Sequence, residues 1–239
     1  SFTNNIILFL YIIMKKNLVY YTLYFSIFIQ FITFFIGLDG YRYKLNPMDE
    51  PLKDILTIEN VVQLVEGLVY IWILYYSLNF DDMVNKRYLD WFITTPLMLL
   101  STILFMKYNT EKEKNNSIHS KQFFKEYLKD IFYIGLLNAL MLLFGFLGEK
   151  KIINKNLSII IGFIFFYLTF KYIYDKFVLN NEKNKQLFYF VFFIWSLYGV
   201  AAFFPDIPKN TCYNILDLIS KNFYGLFIYY KIRQLSKSK

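Results

Sequence analysis

The chain has 239 residues, of which 56% are hydrophobic, 22% aromatic and only 18% charged, with a net charge of +8. A soluble domain carries roughly a quarter charged residues, so this balance, with a mean hydropathy of +0.35, suits a surface that meets lipid. One cysteine (Cys212) and one histidine (His119) exclude an intramolecular disulfide and argue against a Cys/His metal site, and the basic excess forms no aromatic-interleaved patch for nucleic acid.

Crossing a bilayer takes about 20 apolar residues. The segment 1–16 contains an apolar run over 6–14 that is too short to cross and ends in Lys15 and Lys16. It is expected to lie at the interface, or to be a remnant signal-like segment. Seven apolar stretches follow, over 17–38, 55–78, 88–106, 128–147, 157–177, 186–204 and 211–232, and a basic tail covers 233–239. The prediction is one all-α, multi-pass domain over 1–239, a seven-helix transmembrane bundle with the lipid bilayer as its partner. With the N-terminus outside, most of the 26 Lys and Arg residues fall on the inner connections, helix ends and tail. The C-terminus is therefore expected in the cytoplasm. No soluble domain is read in these stretches, so signalling would need a partner.

Polar groups inside the spans are costly and usually paired. The first span offers Ser26, Gln30 and Thr33. The second has Glu59, Gln63, Glu66 and Tyr70 at spacings of four, three and four, which makes one polar stripe. Glu59 snorkelling to the interface and Glu66 bonding a neighbour is the plainer reading of that stripe. The third span opens with RYLDWFITTPL over 87–97, placing Arg87 at its edge and Asp90 one turn inside, with Thr94 and Ser101 on the same face. In the seventh, LDLISKNFYG over 216–225 puts Lys221 mid-span, with Asp217 one turn earlier and Asn222 beside it. A structural ion pair is one reading of Lys221. The other is an amine condensed with a carbonyl compound and balanced by carboxylates. Asp90, Asp217 and Arg87 around one buried nitrogen favour the second. No nucleophile–base pair, phosphate loop or metal-ligand spacing occurs, so no enzyme, catalytic residue or metal is expected.

At these residues the chain resembles the microbial (type 1) rhodopsins. The RYxDWxxTTPL and LDxxxKxxxG patterns carry the likeness, and it extends over all seven spans. It implies that Lys221 holds all-trans-retinal as a Schiff base, with Asp90 as principal counter-ion and proton acceptor and Asp217 as the second. WSLY over 195–198 matches the family's WSxY. By the same resemblance Trp91 and Trp195 sandwich the polyene, Thr94 and Tyr198 join the pocket, and Asn138, Met141 and Gly145 line its ring end. Gly199 stands where the family commonly has proline, and Ala202 where a third aromatic often packs, so a looser ring end is expected.

Asp90, Thr94 and Ser101 form an Asp-Thr-Ser triplet. Asp90 and Ser101 are separated by about 16 Å of helix. Proton pumps of the bacteriorhodopsin type usually have a carboxylate at that third position; serine donates protons poorly, so a pump would be slow at this step. The connection before the last span offers only Asp206, and no paired-glutamate release group is evident. Ser26, Glu59, Glu66 and Asn222 instead resemble the group 1 viral rhodopsins, described as light-gated cation channels, and carboxylates along a path favour cations. The chain thus reads first as a light-gated cation channel. The alternatives are an outward proton pump with Asp90 as acceptor and a sensory photoreceptor. The ions are protons or monovalent cations, the location a host cell membrane if the chain is viral, and a homo-oligomer is left open. Glu66→Gln is expected to weaken the current while sparing the colour.

Overall fold

In the computed structural model, residues 2–237 except Asn180 are described, with side chains from Asn17 onward. The helices are α1 (Phe2–Asp39), α2 (Pro51–Tyr76), α3 (Phe80–Glu113), the short α4 (Ser120–Glu126), α5 (Leu128–Glu149), α6 (Lys155–Ile173), α7 (Glu182–Ala201), α8 (Asp206–Asp217) and α9 (Phe223–Lys237). A π-helical turn, Tyr174–Val178, prolongs α6, and a second, Leu218–Asn222, joins α8 to α9 as one rod. No strand occurs among the described residues.

Asparagine and proline set several of the starts. Asn79 Oδ1 accepts from the Asp82 amide to open α3, Asn154 Oδ1 from the Asn156 and Leu157 amides to open α6, and Asn181 Oδ1 from the Asn184 amide to open α7. Pro51 sits in the first turn of α2, where a missing amide costs nothing. Asn115 and Lys151 adopt φ of 57° and 58° just past α3 and α5, turning the chain as left-handed caps do. Within α3, Pro96 removes the amide that would answer the Phe92 carbonyl.

Each expected stretch falls on one rod, with shifted ends. α1 is a continuous 38-residue helix that takes in residues 2–16 of the segment expected to stand apart (Ser1 lies outside the described residues). At 1.5 Å per residue it is about 57 Å long, nearly twice a hydrocarbon core. The stretch expected as a tail stays helical through Lys237; Ser238 and Lys239 lie outside the described residues, as do the side chains of Lys15 and Lys16. Five of the rods are long and apolar enough to cross a membrane by composition alone: Asn17–Arg42, Pro47–Tyr76, Phe80–Glu113, Leu128–Glu149 and Lys155–Val178. The charged first turn of α7 and the polar middle of the α8–α9 rod keep those two below that mark.

The rods close a ring in the order α1, α2, α3, α5, α6, α7, α8–α9 and back to α1. Its distribution of residues is inside out. Phe28, Phe132 and Phe193 face outward, 60% or more exposed, while Glu59, Glu66, Arg87, Asp90 and Asp217 are 0% exposed in the middle. In water such an apolar exterior would aggregate; against acyl chains it is the stable arrangement. Apolar packing brackets the polar layer, with Leu104, Phe105, Phe123, Phe177 and Ile228 on one side and Tyr88, Trp91, Tyr213 and Leu216 on the other.

Candidate functional site

Lys221 lies on the π-helical turn Leu218–Asn222, a local widening of the kind that recurs at functional positions. Its Nζ is 2.8 Å from Asp90 Oδ2 on α3, 3.4 Å from Glu66 Oε1 on α2 and 3.6 Å from Asp217 Oδ1 on α8. A second cation, Arg87, places Nη1 3.2 Å from Asp217 Oδ2. Each such charge costs about 2.5–3.5 kcal/mol to insert at mid-membrane, so five of them persist only by answering one another.

The two predicted carboxylates are held differently. Asp217 is the hub: Arg87 Nη1, Trp91 Nε1 (3.2 Å) and Tyr198 Oη (2.7 Å) donate to it, and so does the Tyr70 hydroxyl. Asp90 accepts from Lys221 through Oδ2 alone, and its Oδ1 has no hydrogen-bond partner among the described residues. Asp90 therefore has lone pairs free for a proton, whereas both oxygens of Asp217 are occupied. Arg87 is itself fixed by Tyr70 Oη at 2.6 Å and Asn214 Oδ1 at 2.7 Å, and the Asn214 carbonyl accepts from Ser26 Oγ at 3.1 Å.

A cavity of about 120 Å³ leads away from Lys221 between α3, α5, α6 and α7. Trp91, Met141, Gly145, Trp195 and Tyr198 line it, together with Lys221 and Asp217. Its wall is almost wholly apolar and includes two indoles, so the residues present fit a conjugated hydrocarbon tethered at an amine. Two residues expected at the pocket stand outside its lining. Thr94 Oγ1 donates to its own helix, at the Asp90 carbonyl, and does not line the cavity. Asn138 stands behind the wall, donating 2.7 Å to Thr95 Oγ1, and Thr95 is the lining residue. Gly199 and Ala202, read as loosening the ring end, differ in their surroundings. Phe163 packs directly against Gly199, so a Cβ there would collide with its ring; Ala202 does line the cavity.

The α2 stripe divides at Lys221. Tyr70 and Glu66 join the charged cluster. Glu59 lies farther along and accepts from Ser101 Oγ, fully buried, which overturns the snorkelling reading. Between and around these groups a row of buried polar atoms has no hydrogen-bond partner among the described residues: both ends of Gln30, Gln63 and Asn222, the Thr33 hydroxyl, Glu59 Oε2 and both oxygens of Glu66. Glu66 was expected along a path or bonded to a neighbour; its contact with Lys221 makes it a third carboxyl of the cluster, close enough to the nitrogen to bear on the colour. The i,i+4 relation of Glu66 to Tyr70 was the available signal. Asn214, the Arg87 anchor, had a weaker one, three residues before Asp217 on the same face.

A family model described as bacteriorhodopsin-like protein matches residues 21–235. A green-light absorbing proteorhodopsin from Gamma-proteobacterium EBAC31A08 is 25% identical over 172 residues, covering 62% of this chain; the match spans only 61% of that protein's length. Among solved structures, the viral rhodopsin OLPVRII superposes with a TM-score of 0.79 at 28% identity, covering 91% of this chain and 99% of that one. A blue light-absorbing proteorhodopsin from Med12 shares the fold, with a TM-score of 0.67 at 20% identity over 92% and 98% of the two chains.

Proposed function

The chain belongs to the bacteriorhodopsin-like family, as an integral multi-pass membrane protein close to viral rhodopsins, and on that premise we propose that it holds all-trans-retinal on Lys221 and conducts cations when illuminated. Bound to Lys221 Nζ, retinal would supply light absorption and a change of shape that reorients the N–H bond. Everything else falls to the protein. Trp91 and Trp195 would pack against the polyene, with Met141, Gly145 and Phe163 among the other wall residues. Asp90, at 2.8 Å with one unpartnered oxygen, takes the proton from Nζ. Asp217 stays committed to Arg87, Tyr70, Trp91 and Tyr198 and fixes the geometry.

The observation that carries the channel reading is the row of polar atoms on Gln30, Thr33, Glu59, Gln63, Glu66 and Asn222 with no hydrogen-bond partner among the described residues, Glu66 Oε1 having only its 3.4 Å ion pair with Lys221. Buried polar groups without partners cost about 1–3 kcal/mol each. Native proteins retain several together where water or ions satisfy them. Once Lys221 loses its charge to Asp90, the cation that closes this row electrostatically is gone, and the carboxyls of Glu66 and Glu59 draw cations through. The basic residues gathered where α3 ends and α7 begins, such as Lys112, Lys114 and Lys183, support placing that end and the C-terminus in the cytoplasm.

A second reading, an outward proton pump, is favoured by one contact. Glu59, bonded to Ser101, supplies from α2 the carboxyl that α3 lacks at position 101. Voltage-clamped photocurrents decide between them. A channel current reverses sign near the cation equilibrium potential and follows external cation composition; a pump current stays outward at every voltage. Absence of light-driven charge movement in a coloured protein would exclude both and leave a sensory photoreceptor.

A further inference from the structure

A second cavity, of about 440 Å³, lies away from the site between the end of α3, the start of α7 and α9. Its walls are apolar and half of them face outward: Phe190, Phe223 and Phe227 are 44%, 62% and 43% exposed. Its rim carries Lys183 and Lys231. Lys183 has only an exposed ion pair, 3.4 Å from Glu113, a type worth little in water. Lys231 makes no ion pair among the described residues; its ammonium lies 5.3 and 5.9 Å from the ring centres of Phe105 and Phe227. Such a cleft combines outward-facing rings with two cations.

We propose that this cleft binds one anionic phospholipid, with its phosphate between Lys183 and Lys231 and an acyl chain along Phe190, Phe223 and Phe227. Charge complementarity selects the occupant. The rim offers two ammonium groups and one exposed competing carboxylate, and basic pockets between helix ends are where acidic headgroups settle. A zwitterionic lipid brings a cationic ammonium beside its phosphate and so offers the two lysines no net negative charge. The cleft reaches the transport path through one residue: Tyr224 lines it and points its hydroxyl at the Ser101 carbonyl, 3.4 Å away, next to the Glu59 contact. A bound lipid thus stands over the end of the polar row, and binding does not depend on retinal being present.

The test uses the full-length protein in mild detergent, with and without retinal, equilibrated with equal amounts of phosphatidylglycerol and phosphatidylcholine. Retained lipids are counted by native mass spectrometry. One phosphatidylglycerol per chain should be retained in preference to phosphatidylcholine. K183Q and K231Q should each lower that preference about fivefold, the weight of one lysine near an acidic headgroup. Lys185→Gln, which removes a nearby lysine already paired with Glu182 at 2.6 Å, should leave it unchanged. Equal retention of the two lipids, or no retention, would overturn the proposal. So would an undiminished preference in K183Q/K231Q, or an equal loss in K185Q, which would signal diffuse surface charge. Displacement by excess inorganic phosphate would make free phosphate the ligand and overturn the lipid assignment.

Discussion

The hydroxyl of Ser101 on α3 donates to the carboxyl of Glu59 on α2, and both groups are fully buried. Ser101 is eleven residues beyond Asp90, so this carboxyl sits on the far side of Lys221 from Arg87. On the pump reading it would be the acid that returns a proton to Lys221 Nζ after Asp90 has taken one. Glu59→Gln should slow that return by about 10²-fold, the lower range for removal of a positioned acid, while Ser101→Ala should slow it less. Flash photolysis of the visible band measures the rate; equal recovery in wild type and Glu59→Gln would remove Glu59 from proton return.

Asp90 and Asp217 should separate cleanly by what their loss does. Removing Asp217 strips Arg87 of its only carboxylate partner within 4.0 Å among the described residues, and a buried cation left alone costs about 3–5 kcal/mol. Asp217→Asn should therefore lower thermal stability markedly. Asp90→Asn should cost less, because Glu66 and Asp217 remain 3.4 and 3.6 Å from Lys221 Nζ, yet it should red-shift the band and abolish the light-driven proton transfer. Thermal bleaching and flash photolysis on the same two variants check both halves. Asp217→Asn proving the milder change would contradict the hub assignment.

Glu66→Gln should reduce cation current and also shift the absorption band, because the carboxyl touches the charged nitrogen. Photocurrent and absorption spectra of one preparation provide the check. A colour identical to wild type would mean that the Glu66 contact with Lys221 carries no charge, and an unreduced current would take Glu66 out of the conducting row.

The sequence made most of this legible because membrane insertion amplifies its signals. Apolar length stands out in five rods and is weaker in α7 and the α8–α9 rod, and the rarity of mid-span charge singled out Arg87, Asp90, Asp217 and Lys221. What stayed hidden depends on how rods rotate against one another. Glu66 and Glu59 share one face of α2, yet one meets Lys221 and the other Ser101, a split set by the placement of α3 and α9. Thr94 and Thr95 are neighbours in sequence, and only the rotation of α3 decides that Thr95 lines the cavity. The π-helical turn at Lys221 has no composition of its own: Leu-Ile-Ser-Lys-Asn would serve an α-helix equally well. Phe163 filling the space over Gly199 is likewise a pairing across two helices.

That last pairing gives a steric test of the cavity. Gly162 and Gly199 both line it, but a methyl group meets different surroundings at each. At Gly162 the nearest atom would be the Met141 carbonyl oxygen at 3.7 Å, an ordinary contact, whereas at Gly199 it would drive into the Phe163 ring. Overpacking of this kind costs about 1–3 kcal/mol, and Phe163 can relieve it only by moving, with the cavity it lines as the adjoining open space. Gly199→Ala should therefore slow the uptake of added retinal and lower the thermal stability of the pigment, while Gly162→Ala should change neither appreciably. Growth of the visible band after retinal addition gives the rate. If the two variants took up retinal equally fast, the cavity bounded by Phe163 would not be the retinal site.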